Sequence, residues 1–290
     1  MKAAPFSYYR PSTLAEACEA MASDMEARVI AGGQTLVPML AMRLSRPSQL
    51  VDIARLSELR GIDDSGAHVA IGSAVRQAEA LTNPLIAQQV PLLAAALPHV
   101  GHPPTRARGT IGGSIAHGDP SAEIALAATI LEAQIEFRTE DEMETFSPEE
   151  FFIGPTVTMA PMGGLLTRVL FPKRPEGALG VGFREIASRR SDYAFASAGA
   201  QIVLAEDGTC TEARLGIGSV GDVPVAVDVA GLAGSRLTGK DIAGAVEAAL
   251  ADLDCVDDLH ATSTYRRRAA ARLAEQAMVQ ARDQAIGAAA

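Results

Sequence analysis

Tryptophan is absent from the 290-residue sequence and aromatic residues make up 4% of it. A core built from this chain must therefore be packed from Ala, Leu, Val and Ile. Cysteine is scarce: Cys18, Cys210 and Cys255 stand apart, with no C-x-x-C. That spacing excludes a disulfide framework and an iron–sulfur cluster held by a recognisable motif, and it matches a reducing, cytoplasmic setting. Basic charge is in deficit, 25 Lys and Arg against 35 Asp and Glu, for a formal net charge of −10. A nucleic-acid partner, which needs a basic stripe, is excluded on that ground. The basic run Arg266-Arg267-Arg268 precedes an Ala-rich helical pattern and reads as a solvated helix end. No apolar stretch approaches the ~18 residues of a membrane span. The N-terminus, "MKAAPFSYYRPSTLAEA", lacks a signal peptide's apolar run. A soluble protein without a transmembrane segment is expected. G-x-S-x-G, H-E-x-x-H and Walker motifs are missing, so hydrolase chemistry has no support. His99, His102 and His117 lack a third ligand at metal spacing, and Gly101 and Pro103-Pro104 interrupt any helical face between them.

What remains is a globular composition, 48% apolar, long enough for one large domain or two to three smaller ones. Thr13 to Glu16 has capping-box spacing and opens a helix to about Met21. "ARVIA" reads as a strand, "LVPMLAMRL" as a helix that tolerates Pro38 in its first turn, and "LVDI" as a second strand. Residues 1–55 thus form a small α/β unit. A mixed α+β unit follows over 56–172. In it "HVAIGS" is a strand whose Ser73 is placed to cap a helix through Leu81, and a helical stretch breaks at Pro91. Ser121 is placed to cap "AEIALAATILEA", and "QIEFRT" and "GLLTRVLF" are strands. Residues 178–290 read as an antiparallel sheet, with a hairpin at Asp207-Gly208, closed by helices over 239–251 and 263–286.

Three glycine motifs compete for attention. "GIGSVG" at 216–221 fits G-x-G-x-x-G, but "DVPVAVDVA" follows instead of a helix, so it reads as a strand end and turn. The loop Ala31-Gly32-Gly33-Gln34-Thr35-Leu36 joins a strand to a helix. Its amides can converge on an anion, with Thr35 as a further donor, or it can be a tight β–α turn. Thr110-Ile111-Gly112-Gly113-Ser114 repeats the pattern and leads into Asp119 and Glu123, which can accept hydrogen bonds from a polyol. Together the loops suit a ligand with a diphosphate centre and a hydroxylated chain.

Both loops, with "FSYYRP", "AGGQTLVPML", "LVDI", "RARGTIGGSIAHGDP" and "RRSDYA", resemble over nearly the whole chain the FAD-binding medium subunits of molybdenum hydroxylases. That group includes carbon monoxide, xanthine and aromatic-heterocycle dehydrogenases. The resemblance implies an α+β fold of the vanillyl-alcohol oxidase and CO dehydrogenase flavoprotein type, with a C-terminal antiparallel sheet plus helices. It implies FAD, bound non-covalently because the first loop holds no His or Cys. The diphosphate would be clasped by both loops, over Ile30, Ala31, Gly32, Gly33, Gln34, Thr35 and Leu36 and over Thr110, Ile111, Gly112, Gly113 and Ser114. Val100, Gly101 and Leu166 match further cofactor contacts. Glu123 stands where the family usually has Asp beside the FAD hydroxyls, and Arg184 matches a position near the flavin's polar edge. Tyr193 matches an aromatic residue over the isoalloxazine ring; packing against the sheet is its other reading. Arg106 and Arg108 read as phosphate or partner contacts, or as solvated side chains.

The implied function is electron transfer. A large subunit would carry the molybdenum cofactor and a small subunit two [2Fe–2S] clusters. This chain's FAD would pass electrons to an external acceptor, in what is expected to be a dimer of heterotrimers. The alternatives are a self-sufficient flavin oxidase or dehydrogenase of the same fold, and a non-enzymatic flavin-binding protein.

Overall fold

The computed structural model describes residues 2–289. The first unit holds β1 (Ser7–Tyr9), α1 (Leu14–Ser23), β2 (Arg28–Ile30), α2 (Leu36–Ala41) and β3 (Gln49–Asp52). Its strands are all parallel, in the order β1-β3-β2. Thr13 caps α1, its Oγ1 accepting from the Glu16 N–H at 3.2 Å. The reciprocal half of the capping box is displaced by one residue: the Glu16 carboxylate accepts from the Ser12 N–H at 2.7 Å. Leu14, Ala17, Cys18 and Met21 lie on the buried face of α1, against Val51 and Leu59.

The second unit runs β4 (Ile62–Ser65), β5 (His68–Gly72), α3 (Gln77–Thr82), α4 (Pro84–Gln89), α5 (Pro91–Ala96), α6 (Pro103–Arg108), α7 (Ile111–His117), α8 (Glu123–Ile130), β6 (Gln134–Arg138), β7 (Met143–Phe146), α9 (Pro148–Phe151), β8 (Phe152–Gly154), β9 (Val157–Thr158) and β10 (Leu165–Pro172). Its sheet is antiparallel, in the order β4-β5-β10-β6-β7. Pro91 divides the helical stretch as expected, with each half opening on a proline.

Two expected caps are not caps. Ser73 is buried; its N–H donates to Thr167 O at 2.9 Å and its carbonyl accepts from Gly112 N–H at 3.0 Å. Tertiary pairing with β10 and α7 claims the residue, and α3 begins only after Arg76. Ser121 donates its N–H to the Asp119 carboxylate at 2.8 Å. That Asx turn delays α8 until after Ala122, which provides no side-chain cap.

The third unit is the antiparallel sheet β11 (Ala178–Ala187), β12 (Ala194–Leu204), β13 (Cys210–Gly218) and β14 (Val225–Val227), followed by α10 (Gly239–Ala249) and α11 (Ser263–Ala289). One face takes α11 at close range. A Cβ on Gly180 would stand 1.9 Å from Ala281 O, and one on Gly182 2.1 Å from Ala277 O. The other face takes α8: a Cβ on Gly216 would stand 2.3 Å from Ile130 Cγ1. One on Gly218 would stand 3.2 Å from Leu126 Cδ2. The G-x-G-x-x-G is therefore a strand end whose glycines admit a helix, not a nucleotide.

The arginine run is a solvated helix end only in part: Arg267 and Arg268 are exposed, Arg266 is not. Arg266 is buried and donates to Phe195 O at 2.6 Å, to Ser219 O and to Asp258 Oδ2 at 2.6 Å. Arg267 donates to Leu250 O at 3.2 Å and to Leu253 O. Both side chains sew the start of α11 to loops that precede it.

Candidate functional site

The loop after β2 leaves the C-terminal end of a parallel sheet, where backbone donors commonly meet ligands. Gly33 has φ +70°, a conformation that glycine adopts at no steric cost. Among the described residues, the N–H groups of Gly32, Gly33, Gln34 and Thr35 meet no protein acceptor. Ile30 O accepts from Ile53 N–H at 3.1 Å and Gly33 O from Val37 N–H at 3.0 Å, which fixes the loop at both ends. Successive unpaired amides around a positive-φ glycine make an anion-binding concavity.

The second glycine segment lies against the first. A Cβ on Gly32 would stand 2.4 Å from Arg108 O and 2.8 Å from Gly109 Cα. The segment is not a loop, however. Gly112 and Gly113 lie in the first turn of α7, capped by Thr110. Its amides are used inside the protein: Ile111 N–H on Val75 O at 3.0 Å, Gly112 N–H on Ser73 O at 3.0 Å, and Gly113 N–H on Thr110 Oγ1 at 2.9 Å. Gly112 is required for packing, because a Cβ there would stand 2.3 Å from Ser73 Cβ. Gly113 is exposed and Ser114 half-buried, so these two form the accessible surface of the segment.

The first motif residues brace this junction. Tyr8 donates its hydroxyl to Asp52 Oδ2, and the Arg10 guanidinium stands 5.7 Å from the Tyr8 ring and 3.5 Å from Asp52. Arg76 donates to Arg108 O. Burial, then the charges of Arg60 and Arg108, pull the Arg76 pKa down, while Asp52 opposes them. Arg60 and Arg108 thus lie within electrostatic range of Arg76, whose guanidinium meets the Arg108 carbonyl that packs on Gly32.

Further along α6, Arg106 donates to Val100 O at 2.9 Å and to Gly101 O at 2.6 Å. Both carbonyls are thus occupied, and Gly101 has φ +48°. Glu123 heads α8. Burial, reinforced by the carboxylates of Glu185 and Asp119, pushes its pKa up to about 8 against the opposing pull of its own backbone N–H and Arg106. Tyr193 is 73% exposed, which rules out sheet packing. Its hydroxyl is within electrostatic range of Asp119 and Glu123. Leu166 is buried on β10, beside the register shift that precedes Arg168.

Arg184 is not brought to this group. Strand alternation turns its exposed side chain to the sheet face that receives α11 through Gly180 and Gly182, while Phe183 and Glu185 face the second unit. Glu185, which the sequence reading did not single out, accepts from or pairs with His99 Nδ1 at 3.0 Å. The alternation in "VGFRE" was the available signal, masked by the attraction of a basic residue at 184. Among the described residues no group of three His, Cys, Asp or Glu side chains could hold a metal. No helix among the described residues is long and apolar enough to cross a membrane.

Unpaired amides around Gly33, packed against Arg108 and Gly109, suit an anionic ligand. Comparison with known sequences agrees. Residues 4–174 match the FAD binding domain in molybdopterin dehydrogenase, and residues 182–281 match the CO dehydrogenase flavoprotein C-terminal domain. The nicotine 6-hydroxylase medium subunit of Paenarthrobacter nicotinovorans is 33% identical over 97% of this chain and 99% of its own. Among solved structures, quinoline 2-oxidoreductase from Pseudomonas putida 86 has a TM-score of 0.93 at 34% identity, covering 99% of this chain and 100% of that one. Carbon monoxide dehydrogenase from Hydrogenophaga pseudoflava has a TM-score of 0.93 at 28% identity, covering 98% and 99%. The chain belongs to the FAD-binding medium subunits of the molybdenum hydroxylases, and is an oxidoreductase subunit.

Proposed function

We propose that FAD lies extended between the first and second units, whose boundary we place near residue 55, with the third unit, from about residue 178, closing over the ring. The observation that carries this reading is the run of unpaired amides from Gly32 to Thr35, packed against Arg108 and Gly109, in a chain of this family. The diphosphate takes the amides and the Thr35 hydroxyl, with Ile30, Ala31 and Leu36 framing the nest. Gly113 and Ser114 form the opposing wall, which Thr110, Ile111 and Gly112 hold in place. Val100, Gly101 and Leu166 line the remaining length, Glu123 meets FAD hydroxyls or ring edge, and Tyr193 covers the ring. The β2–α2 loop holds no His or Cys, which supports non-covalent FAD.

When bound, FAD supplies passage between one-electron and two-electron chemistry. This chain's residues bind it, orient it and set its electrostatic surroundings. Electrons would reach it from [2Fe–2S] clusters of a small subunit, after oxidation of substrate at molybdenum in a large subunit, and leave to an external acceptor. Two relatives, nicotine 6-hydroxylase and quinoline 2-oxidoreductase, support a nitrogen heterocycle as the substrate class of the whole complex. We place the complex in the cytoplasm as a dimer of heterotrimers. Exposed apolar side chains such as Met162 and Leu259 suit coverage by partner chains.

The test is the visible spectrum of the isolated chain and the acid release of its chromophore. Wild type should carry FAD. Gly33→Val should lose it, because the side chain strains a positive-φ residue and narrows the nest. Gly112→Val is a poor test, since it collides with Ser73 whether or not FAD binds. Gly113→Ala, on the exposed wall, should weaken FAD binding; its Cβ would stand 2.8 Å from Thr110 Oγ1, so the far-ultraviolet circular dichroism must be retained for the loss to count. A wild-type chain that cannot be reconstituted with FAD would overturn the reading.

A further inference from the structure

We infer that a cavity where the second unit meets the third binds a small carboxylate carrying a neighbouring hydroxyl or amino group, held by Arg174, Gln201 and Glu212. None of these residues belongs to the glycine nest, and the inference does not depend on the FAD reading.

The cavity has a volume of about 110 Å³. It lies between the end of α4, the linker from Pro172 to Pro175, and one face of the C-terminal sheet. The sheet's side chains there follow from register. Gln201 on β12 stands opposite Arg214 on β13, and Glu212, two residues along, shares its face. The linker is fixed by its own backbone: Lys173 N–H donates to Ala67 O at 2.9 Å and Arg174 N–H to Gln89 O at 2.7 Å.

Polar groups without protein partners point to a ligand. Gln201 is only 4% exposed, yet its side chain makes no hydrogen bond among the described residues, and it opens on the cavity. A buried amide left in that state costs free energy that a bound partner recovers. The three cations around it differ in what they have left to give. Lys173 Nζ is 2.5 Å from Asp64, and Arg214 is 2.5 Å from Glu212 and 2.8 Å from Glu132. Arg174, on the exposed rim, donates to Gly177 O at 3.0 Å and pairs with no carboxylate among the described residues. Glu212 spends Oε1 on Arg214 and keeps Oε2 without a donor.

This inventory selects the ligand. One uncommitted guanidinium calls for one negative charge, and its planar fork matches a carboxylate. Glu212 repels a second charge, which disfavours sulfate or a phosphate dianion, and its free oxygen accepts from a hydroxyl or an amino group. The Gln201 amide, donor and acceptor at once, serves either end of such a molecule. Size sets the remaining limit. With roughly 10–15 Å³ needed for each water, the space takes a short-chain acid and not a nucleotide.

The experiment is isothermal titration calorimetry of the full-length chain with lactate, near neutral pH and at constant ionic strength. Wild type should show saturable binding at one site. Propionate, which lacks the hydroxyl, should bind about tenfold more weakly, the effect of losing one hydrogen bond to a charged acceptor. Arg174→Ala changes an exposed residue and should weaken lactate binding tenfold or more. Gln201→Leu, similar in size but without the amide, should also weaken it. The inference is overturned if lactate gives no binding heat, if propionate binds as well as lactate, or if Arg174→Ala binds lactate like wild type. The last result would place the acid elsewhere, as in the glycine nest, and it is readable even where Gln201→Leu does not fold.

Discussion

Arg266 shows how much one side chain holds together. Its guanidinium joins α11 to β12 through Phe195 O, to the turn after β13 through Ser219 O, and to Asp258. Arg266→Ala would strand two carbonyls, each costing on the order of 1–3 kcal/mol when left unsatisfied. Urea unfolding should report a loss of about 3 kcal/mol. Asp258 carries a related pH dependence. Hydrogen bonds from the Ala261 and His260 N–H groups, with Arg266, lower its pKa from 3.8 to about 2. A depressed folded-state pKa contributes stability above the unfolded value and loses it on acidification. Stability should therefore decline between about pH 4 and pH 2, and an Asp258→Asn variant should decline less over that window. In sequence, "YRRRAAA" carries no sign of any of this. A charge run at a helix start has the same letters whether it meets water or three acceptors.

Elements depend on small residues in a similar way. α11 lies close on β11 because Gly180 and Gly182 lack side chains where Ala281 O and Ala277 O approach. The edge position of β11 is completed by the same helix, with Val181 N–H donating to Gln284 Oε1 at 2.8 Å. Gly182→Leu should force the helix off the sheet and cost more than the 1–3 kcal/mol typical of an overpacked core, since the obstacle is backbone. Differential scanning calorimetry of the variant would measure the fall. The strand pattern of "VGFREIAS" and the helix pattern of α11 are legible from alternation and Ala content. The reason for glycine at 180 and 182 is not, because the partner is about a hundred residues away. The same holds for Gly216 and Gly218, whose literal motif points to a nucleotide while the structure places Ile130 and Leu126 there.

At the scale of the molecule, the described residues form three cores: one around α1 and β3, one around α5 to α8 and β10, and one between the last sheet and α11. α8 links the last two. Its buried residues 124–128 and 130 are apolar on all sides, with the C-terminal sheet beneath and Glu123 at its head. FAD bound across the first two units should stabilise the fold by mass action, by about 2.7 kcal/mol at a free concentration one hundred times its dissociation constant. A thermal melt with and without added FAD would register this as a higher midpoint. An unchanged midpoint would show that FAD and the fold are uncoupled.

The sequence by itself determined α1, β2, β3, β5, β6, β10, the long strands of the C-terminal sheet, the helices that close the chain, the two glycine segments and the family, because periodicity, proline positions and motif spacing are local properties; it did not show β1, β4, α6, α7 or the stretch from β7 to β9. It also offered the β2–α2 loop as a source of backbone donors or as a tight turn; the amides of Gly32 to Thr35 have no protein acceptor among the described residues. Only the tertiary structure decided that the second segment spends its amides on Val75, Ser73 and Thr110, that Glu185 rather than Arg184 turns to His99, and that Ser73 and Arg266 serve packing. Each of these depends on which acceptor or charge arrives from a distant element. Hydrogen-bond saturation and burial are properties of that arrival, not of the residue's own neighbours in the chain.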